Sequence, residues 1–141
     1  MRILIADDRA VVRRGLREIL ADAIPVAGFS EACNGDEVLS HLARTEYSVL
    51  LLDINMPGRN GLEVLRDVKR SYPRLPVIML SVQPEDQYAM RCLRAGAAAY
   101  INKDSAADEL AQATRKILGG GRYVSGRLAE KLVDRLDGPA D

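Results

Sequence analysis

Three aspartates, a serine and a lysine carry the chemistry of this 141-residue sequence. Asp7 and Asp8 follow the apolar run Ile3-Leu4-Ile5-Ala6, and Asp53 follows Val49-Leu50-Leu51-Leu52. Ser81 ends the run that starts at Pro76, and Lys103 comes just after Ala98-Ala99-Tyr100-Ile101. Brought together, three carboxylates and one ammonium leave two surplus negative charges. Two unit charges 4 Å apart repel by about 4 kcal/mol at an effective dielectric of 20. Such a cluster calls for a divalent cation. Oxygen ligands with no His or Cys beside them point to Mg²⁺ or a similar hard ion. One carboxylate of such a site can act as a nucleophile and become an aspartyl phosphate. Lys103 would then meet the phosphoryl group as a point charge, and Ser81 would donate a hydrogen bond to it.

Singly, each residue has a plainer reading. An Asp after a strand is usually a helix cap or a turn residue, and Asp8 could simply cap the first helix. A Ser at a strand end forms turns, and a Lys before Asp104-Ser105 is usually solvated. The chemical reading therefore depends on whether the fold gathers these positions.

The elements around them alternate. Ile3–Ala6, Val26–Ser30, Val49–Leu52, Pro76–Leu80 and Ala98–Ile101 read as strands. Between them, apolar residues at helical spacing predict helices over 10–22, 35–44, 61–71 and 85–95, the last stopped by Gly96. A fifth helix runs from an N-cap at Ser105 to Leu118. Val49–Leu52 is apolar throughout, as a central parallel strand must be. Five strands alternating with helices imply an α/β fold, a doubly wound five-stranded parallel sheet with helices on both faces. The flavodoxin-like (βα)5 order 2-1-3-4-5 is the known arrangement for such a chain, and it makes strands one and three neighbours at the switch point. The site then lies outside the carboxyl ends of the strands, where Asp7, Asp8, Asp53, Ser81 and Lys103 all fall.

The chain resembles a response-regulator receiver domain of bacterial two-component systems. The motifs that carry the resemblance are Ile3–Asp8, Leu51–Gly58 with Gly61, Ile78–Ser81, and Ala95-Gly96-Ala97 through Lys103. It covers residues 1–121 and implies a phosphorylation-dependent signalling switch that accepts its phosphoryl group from a sensor histidine kinase. Asp53 would be the phosphoacceptor. Asp8 and Asp53 would bind Mg²⁺ directly, Asp7 mostly through water, and Asn55 through its backbone carbonyl. Ser81 and Tyr100 would be the switch pair and Lys103 the phosphate partner. Such a protein catalyses its own phosphotransfer and dephosphorylation and is otherwise no enzyme. Gln83 and Asn55 lie where side chains could steer an attacking water.

Lys103–Leu110 followed by Gly119–Ser125 is similar to the NarL/FixJ subfamily. Members of that group continue into a helix-turn-helix DNA-binding domain and regulate transcription. This sequence stops at Asp141, so the resemblance implies a receiver over 1–121 and a linker over 122–141. Within the linker, Arg122–Ser125 looks extended. Gly126–Leu136 carries Leu128, Leu132, Val133 and Leu136 on one helical face, suited to docking on the receiver or to self-association.

Other readings fit less well. A dehalogenase-type phosphatase wants a second Asp two residues after the nucleophile, where this chain has Asn55. A flavodoxin wants a hydroxyl- and glycine-rich phosphate loop after strand one, where Asp7-Asp8-Arg9-Ala10 stands. A receiver-like interaction module that is not phosphorylated keeps the fold without the chemistry. His41, beside Ser40 and Leu42 on a helix, reads as a solvated side chain rather than a phosphocarrier.

Twenty basic residues balance twenty acidic ones, which argues against whole-surface binding to nucleic acid or anionic membrane. The linker is balanced too, with Arg122, Arg127, Lys131 and Arg135 against Glu130, Asp134, Asp137 and Asp141. The expectation is no specific DNA binding by these residues alone, and dimerisation on phosphorylation instead. Cys33 and Cys92 lack metal spacing and read as reduced thiols. No signal peptide opens the sequence and no apolar run spans a bilayer, so the expected location is the cytoplasm.

Overall fold

A strand without a polar side chain must be covered on both faces, and that requirement organises the molecule. The computed structural model describes residues 1–82 and 85–137, with the backbone alone at 85–87, 127 and 135–137. Five strands are formed: β1 (Arg2–Ala6), β2 (Gly28–Ala32), β3 (Val49–Asp53), β4 (Val77–Ser81) and β5 (Ala99–Asn102). They alternate with helices α1 (Ala10–Ala23), α2 (Gly35–Arg44), α3 (Gly61–Ser71), α4 (Glu85–Arg94) and α5 (Ala106–Leu118), and α6 (Gly126–Asp137) follows. All strand pairs are parallel, in the order β2-β1-β3-β4-β5. This is the expected doubly wound topology.

Alternate residues along each strand face opposite layers. Leu4, Leu50, Leu52, Val77, Met79 and Tyr100 pack with α2, α3 and α4. Ile3, Ile5, Leu51, Ile78, Leu80 and Ile101 face the other way, under α1 and α5. Every residue of β3 and β4 is buried. Among the described residues, no helix is long and apolar enough to cross a membrane.

Several element ends shift by one residue from the sequence reading, and two differences are more telling. The second strand starts at Gly28 rather than Val26. Pro25 and Val26 sit in a turn closed by the Ala27 N–H donating to the Ile24 carbonyl, and Val26 is 80% exposed. Ser105 occupies the N-cap of α5, but its hydroxyl makes no capping bond. A short 3₁₀ turn, Lys103–Ser105, precedes it, and the cap there is Asn102, whose Oδ1 accepts from the Asp104 N–H at 2.8 Å.

The extended segment expected at 122–125 is present. Tyr123 forms a parallel bridge with Ala99, and its N–H donates to the Ala98 carbonyl at 3.0 Å. The Tyr123 hydroxyl donates to Glu109 of α5 at 2.9 Å. α6 then packs against α4, with Leu128 fully buried and Leu132 half-buried. Leu136, assigned to the same apolar face, lies outside the described side chains.

Candidate functional site

Parallel register brings the strand ends to one rim. Ala6 pairs with Leu52 and with Ala32, so Asp7 and Asp53 follow adjacent register positions on neighbouring strands. Asp53 pairs with Leu80, and Ser81 pairs with Asn102, the residue before Lys103. One oxygen from each of Asp7, Asp8 and Asp53 lies within 4.8 Å of the others. The sheet thus collects the three carboxylates and the ammonium that the topology was expected to collect.

Their environments differ. Asp7 and Asp53 are buried, whereas Asp8 is exposed at the mouth. Lys103 Nζ donates to Asp7 Oδ2 at 2.6 Å and lies 3.1 Å from Asp53 Oδ2. The other Asp7 oxygen accepts from the Arg9 N–H at 2.9 Å, and the other Asp53 oxygen from the Asn55 N–H at 3.1 Å. Burial pushes the Asp53 carboxyl above its ordinary pKa; Lys103 and the Asn55 N–H pull it back, and the Asp7 charge adds to the upward push.

Ser81 is fully buried at the end of β4. Tyr100 pairs with Met79, two residues before Ser81, and its ring lies in the layer beneath α3 and α4. Ser81 and Tyr100 therefore stand diagonally on one face of adjacent strands. The Asn55 side chain is exposed beside the site, and Gln83 lies outside the described residues.

The loop after Asp53 is shaped by glycine. Gly58 has φ +80°, a conformation that side chains with a Cβ rarely adopt. Gly61 opens α3 directly beneath the acceptor strand, with its N–H donating to the Ile54 carbonyl at 2.7 Å. A Cβ at Gly61 would lie 2.3 Å from the Asp53 carbonyl oxygen and 2.6 Å from Ile54 Cα. Asn60 caps this helix by accepting from the Glu63 N–H at 3.0 Å.

Two contributors escaped the sequence reading. Arg13 Nη1 donates to the Asp7 carbonyl at 2.7 Å while its Nε donates to Glu31 at 2.8 Å, tying α1 and β2 to the site. Asn102 fixes the turn that carries Lys103. The first had no local signal, since 18 residues separate Arg13 from Glu31. The second had one, because Asn before Lys-Asp-Ser is an Asx-turn pattern.

The donor set fits a hard divalent cation: all ligands are carboxylate oxygens, close enough to share one ion, with an open side at Asp8. The same rim can present Asp53 to an electrophilic phosphorus with Lys103 beside it.

The response regulator receiver domain family matches residues 3–115. The response regulator GacA of Pseudomonas protegens is 38% identical over 133 residues, covering 94% of this chain and 62% of the relative. UvrY of Escherichia coli K12 is 33% identical over 133 residues, covering 94% and 61%. Both are of the NarL/FixJ type that the sequence resembles. A LuxR-family two-component response regulator from Aurantimonas sp. SI85-9A1 superposes with a TM-score of 0.89 at 27% identity, covering 97% of this chain and 98% of that one. The chain spans about 62% of the length of the curated relatives it matches.

Proposed function

This chain belongs to the response regulator receiver family, and from that premise we propose that it is a signalling switch phosphorylated on Asp53. The observation that carries the proposal is the shared ammonium: Lys103 reaches both Asp7 and Asp53 from the strand on the far side of β4. A buried carboxylate held beside a cation and a second acidic pair is arranged to accept a phosphoryl group, not merely to cap a helix.

Asp7, Asp8 and Asp53 would hold Mg²⁺, with the Asn55 carbonyl as a further ligand. When bound, Mg²⁺ supplies the positive charge that offsets the carboxylates and the incoming phosphoryl oxygens. An Asp53 oxygen then forms the new P–O bond as the donor's bond to phosphorus breaks. The donor's leaving group, the imidazole of a phosphohistidine on a sensor kinase, departs with the electron pair and takes up a proton. Lys103 pairs with a phosphoryl oxygen, and Ser81 donates to another from the end of β4. Ser81 and Tyr100 share one sheet face, so a change at the hydroxyl reaches the ring layer under α4. The signal would pass outward as altered contact with a partner or a second copy, and the longer relatives support a role in transcription control in a full-length protein.

The test is phosphorylation by acetyl phosphate, followed by intact mass and peptide mapping. Wild type gains one phosphoryl group only with Mg²⁺ present, and Asp53→Asn gains none. Full labelling of the variant, or of wild type in EDTA, would refute the assignment.

A further inference from the structure

The neutral net charge conceals an uneven distribution. Between α3 and α4 lies a cleft of about 470 Å³, lined by Leu62, Arg66, Arg91, Arg94 and Ala95. All three arginines are exposed, and none of them has an ion pair or hydrogen bond among the described residues. Other arginines are engaged: Arg13 and Arg17 with Glu31, Arg59 and Arg70 with Asp67. Among the described residues, no carboxylate lines the cleft. The acidic residues of α3 are already occupied, Asp67 by its two arginines and Glu63 by Asn60. Two more cations lie behind the wall. Arg122 donates to the Leu93 and Ala97 carbonyls, and Lys69 to those of Pro73 and Leu75.

A plainer account covers part of this. Arg91 and Arg94 stand in the last turn of α4, where cations offset the helix dipole. Arg66, in the middle of α3, has no such reason to face them. Three like charges around one cleft repel, and an anion seated there would relieve all three.

The rest of α4 is taken. α6 packs on its other flank through Leu128, and Tyr123 occupies the edge of β5. Among the described residues, the arginine cleft is an open side of α4.

We propose that this cleft docks an acidic segment of a protein partner. Two or three Asp or Glu side chains would engage the arginine forks, which match carboxylates bidentately. An apolar residue between them would rest on Leu62 and Ala95. The charge favours a peptide over a nucleic-acid duplex. Tight duplex binding neutralises on the order of 6–10 phosphates along a stripe, whereas these three cations line one cleft together with Leu62 and Ala95.

The experiment is fluorescence anisotropy on the whole chain with a labelled decapeptide of Glu, Ala and a central Leu. Binding should weaken as salt rises, and Arg66→Gln/Arg94→Gln should weaken it at least about tenfold. The pair Arg2→Gln/Arg74→Gln, on a larger cavity that shares no lining residue with the cleft, should leave it unchanged. Circular dichroism checks the fold of each variant. Should the double variant unfold, Arg94→Gln at the exposed helix end carries the test and should show a smaller loss. No peptide binding by wild type, equal loss in both pairs, or displacement of the peptide by a short DNA duplex would each overturn the proposal. None of these readouts involves phosphorylation, so failure here and failure of the Asp53 assignment are separate results.

Discussion

The Lys103 ammonium lies 2.6 Å from Asp7 Oδ2 and 3.1 Å from Asp53 Oδ2, so one cation serves two buried carboxylates. Removing it leaves both charges in a poorly solvated place. Breaking a buried pair from one side typically costs about 3–5 kcal/mol. Lys103→Met should lose stability of that order in urea unfolding with EDTA present. Mg²⁺ should recover part of the loss, because it supplies charge to the same oxygens. Unchanged stability in EDTA would show that the ammonium does not support the pair.

Asp7 and Asp8 should separate in their effects. Asp7 is buried and bonded to Lys103, while Asp8 is exposed. Asp8→Ala should leave stability in EDTA within about 0.5 kcal/mol of wild type, as for surface changes generally. It should nevertheless lose Mg²⁺ affinity strongly by titration calorimetry. Asp7→Ala should reverse the balance, with the larger stability loss and the smaller loss of affinity. Equal affinity losses would count against the ligand roles given to them.

Gly61 tests the backbone under the acceptor. A methyl group there meets the Asp53 carbonyl oxygen and Ile54 Cα, both rigid backbone atoms. Gly61→Ala should cost about 1–3 kcal/mol by overpacking and slow labelling by acetyl phosphate. Gly58→Ala meets nothing within 4 Å and suffers only its positive φ. It should cost about 1 kcal/mol and label at nearly the normal rate. Identical labelling of the two variants would remove Gly61 from the positioning of Asp53.

The cysteines should differ toward alkylating reagents. Burial pushes the Cys92 thiol up to about 11, with Arg66 opposing. Cys33 is only half-buried, though its thiol is also raised, first by its hydrogen bond with Glu37. The thiolate is the reactive form. Iodoacetamide at mildly alkaline pH should modify Cys33 slowly and Cys92 only after denaturation. Because the folded pKa of Cys92 is raised, its contribution to stability holds at neutral pH and is lost as pH rises toward 11. Modification of Cys92 at the rate of Cys33 in the native protein would contradict the burial.

Much of the fold was legible because the strands are short, apolar and separated by strongly periodic helices. Val49–Leu52 has no polar side chain to place at a surface, and Gly96, with φ +105°, stops α4 where a glycine is expected. The second strand was misplaced because Val26 is apolar, yet a turn holds it out in solvent. Edge strands pack on fewer neighbours, so their sequences are less constrained. The convergence of the acidic residues with Lys103 followed from topology, since each stands at the carboxyl end of its strand. What topology could not give was the division of labour. That Lys103 bonds Asp7 more closely than Asp53, and that Arg13 braces the Asp7 carbonyl, depends on side-chain reach across 96 and 6 residues.

The bridge between Tyr123 and Ala99 bears on self-assembly. A parallel sheet ends in two rows of unsatisfied amides, each a template for a foreign strand. At β2 the rim is guarded by charge, with Glu31 held by Arg13 and Arg17. At β5 the guard is the polypeptide itself: Tyr123 fills the Ala98 carbonyl, and Leu128 pins the segment down a few residues later. Removing residues beyond Gly120 would therefore do more than shorten a linker. It would free the Ala98 carbonyl at the edge of β5 beside a newly bared apolar patch on α4, the kind of combination from which ordered aggregates nucleate.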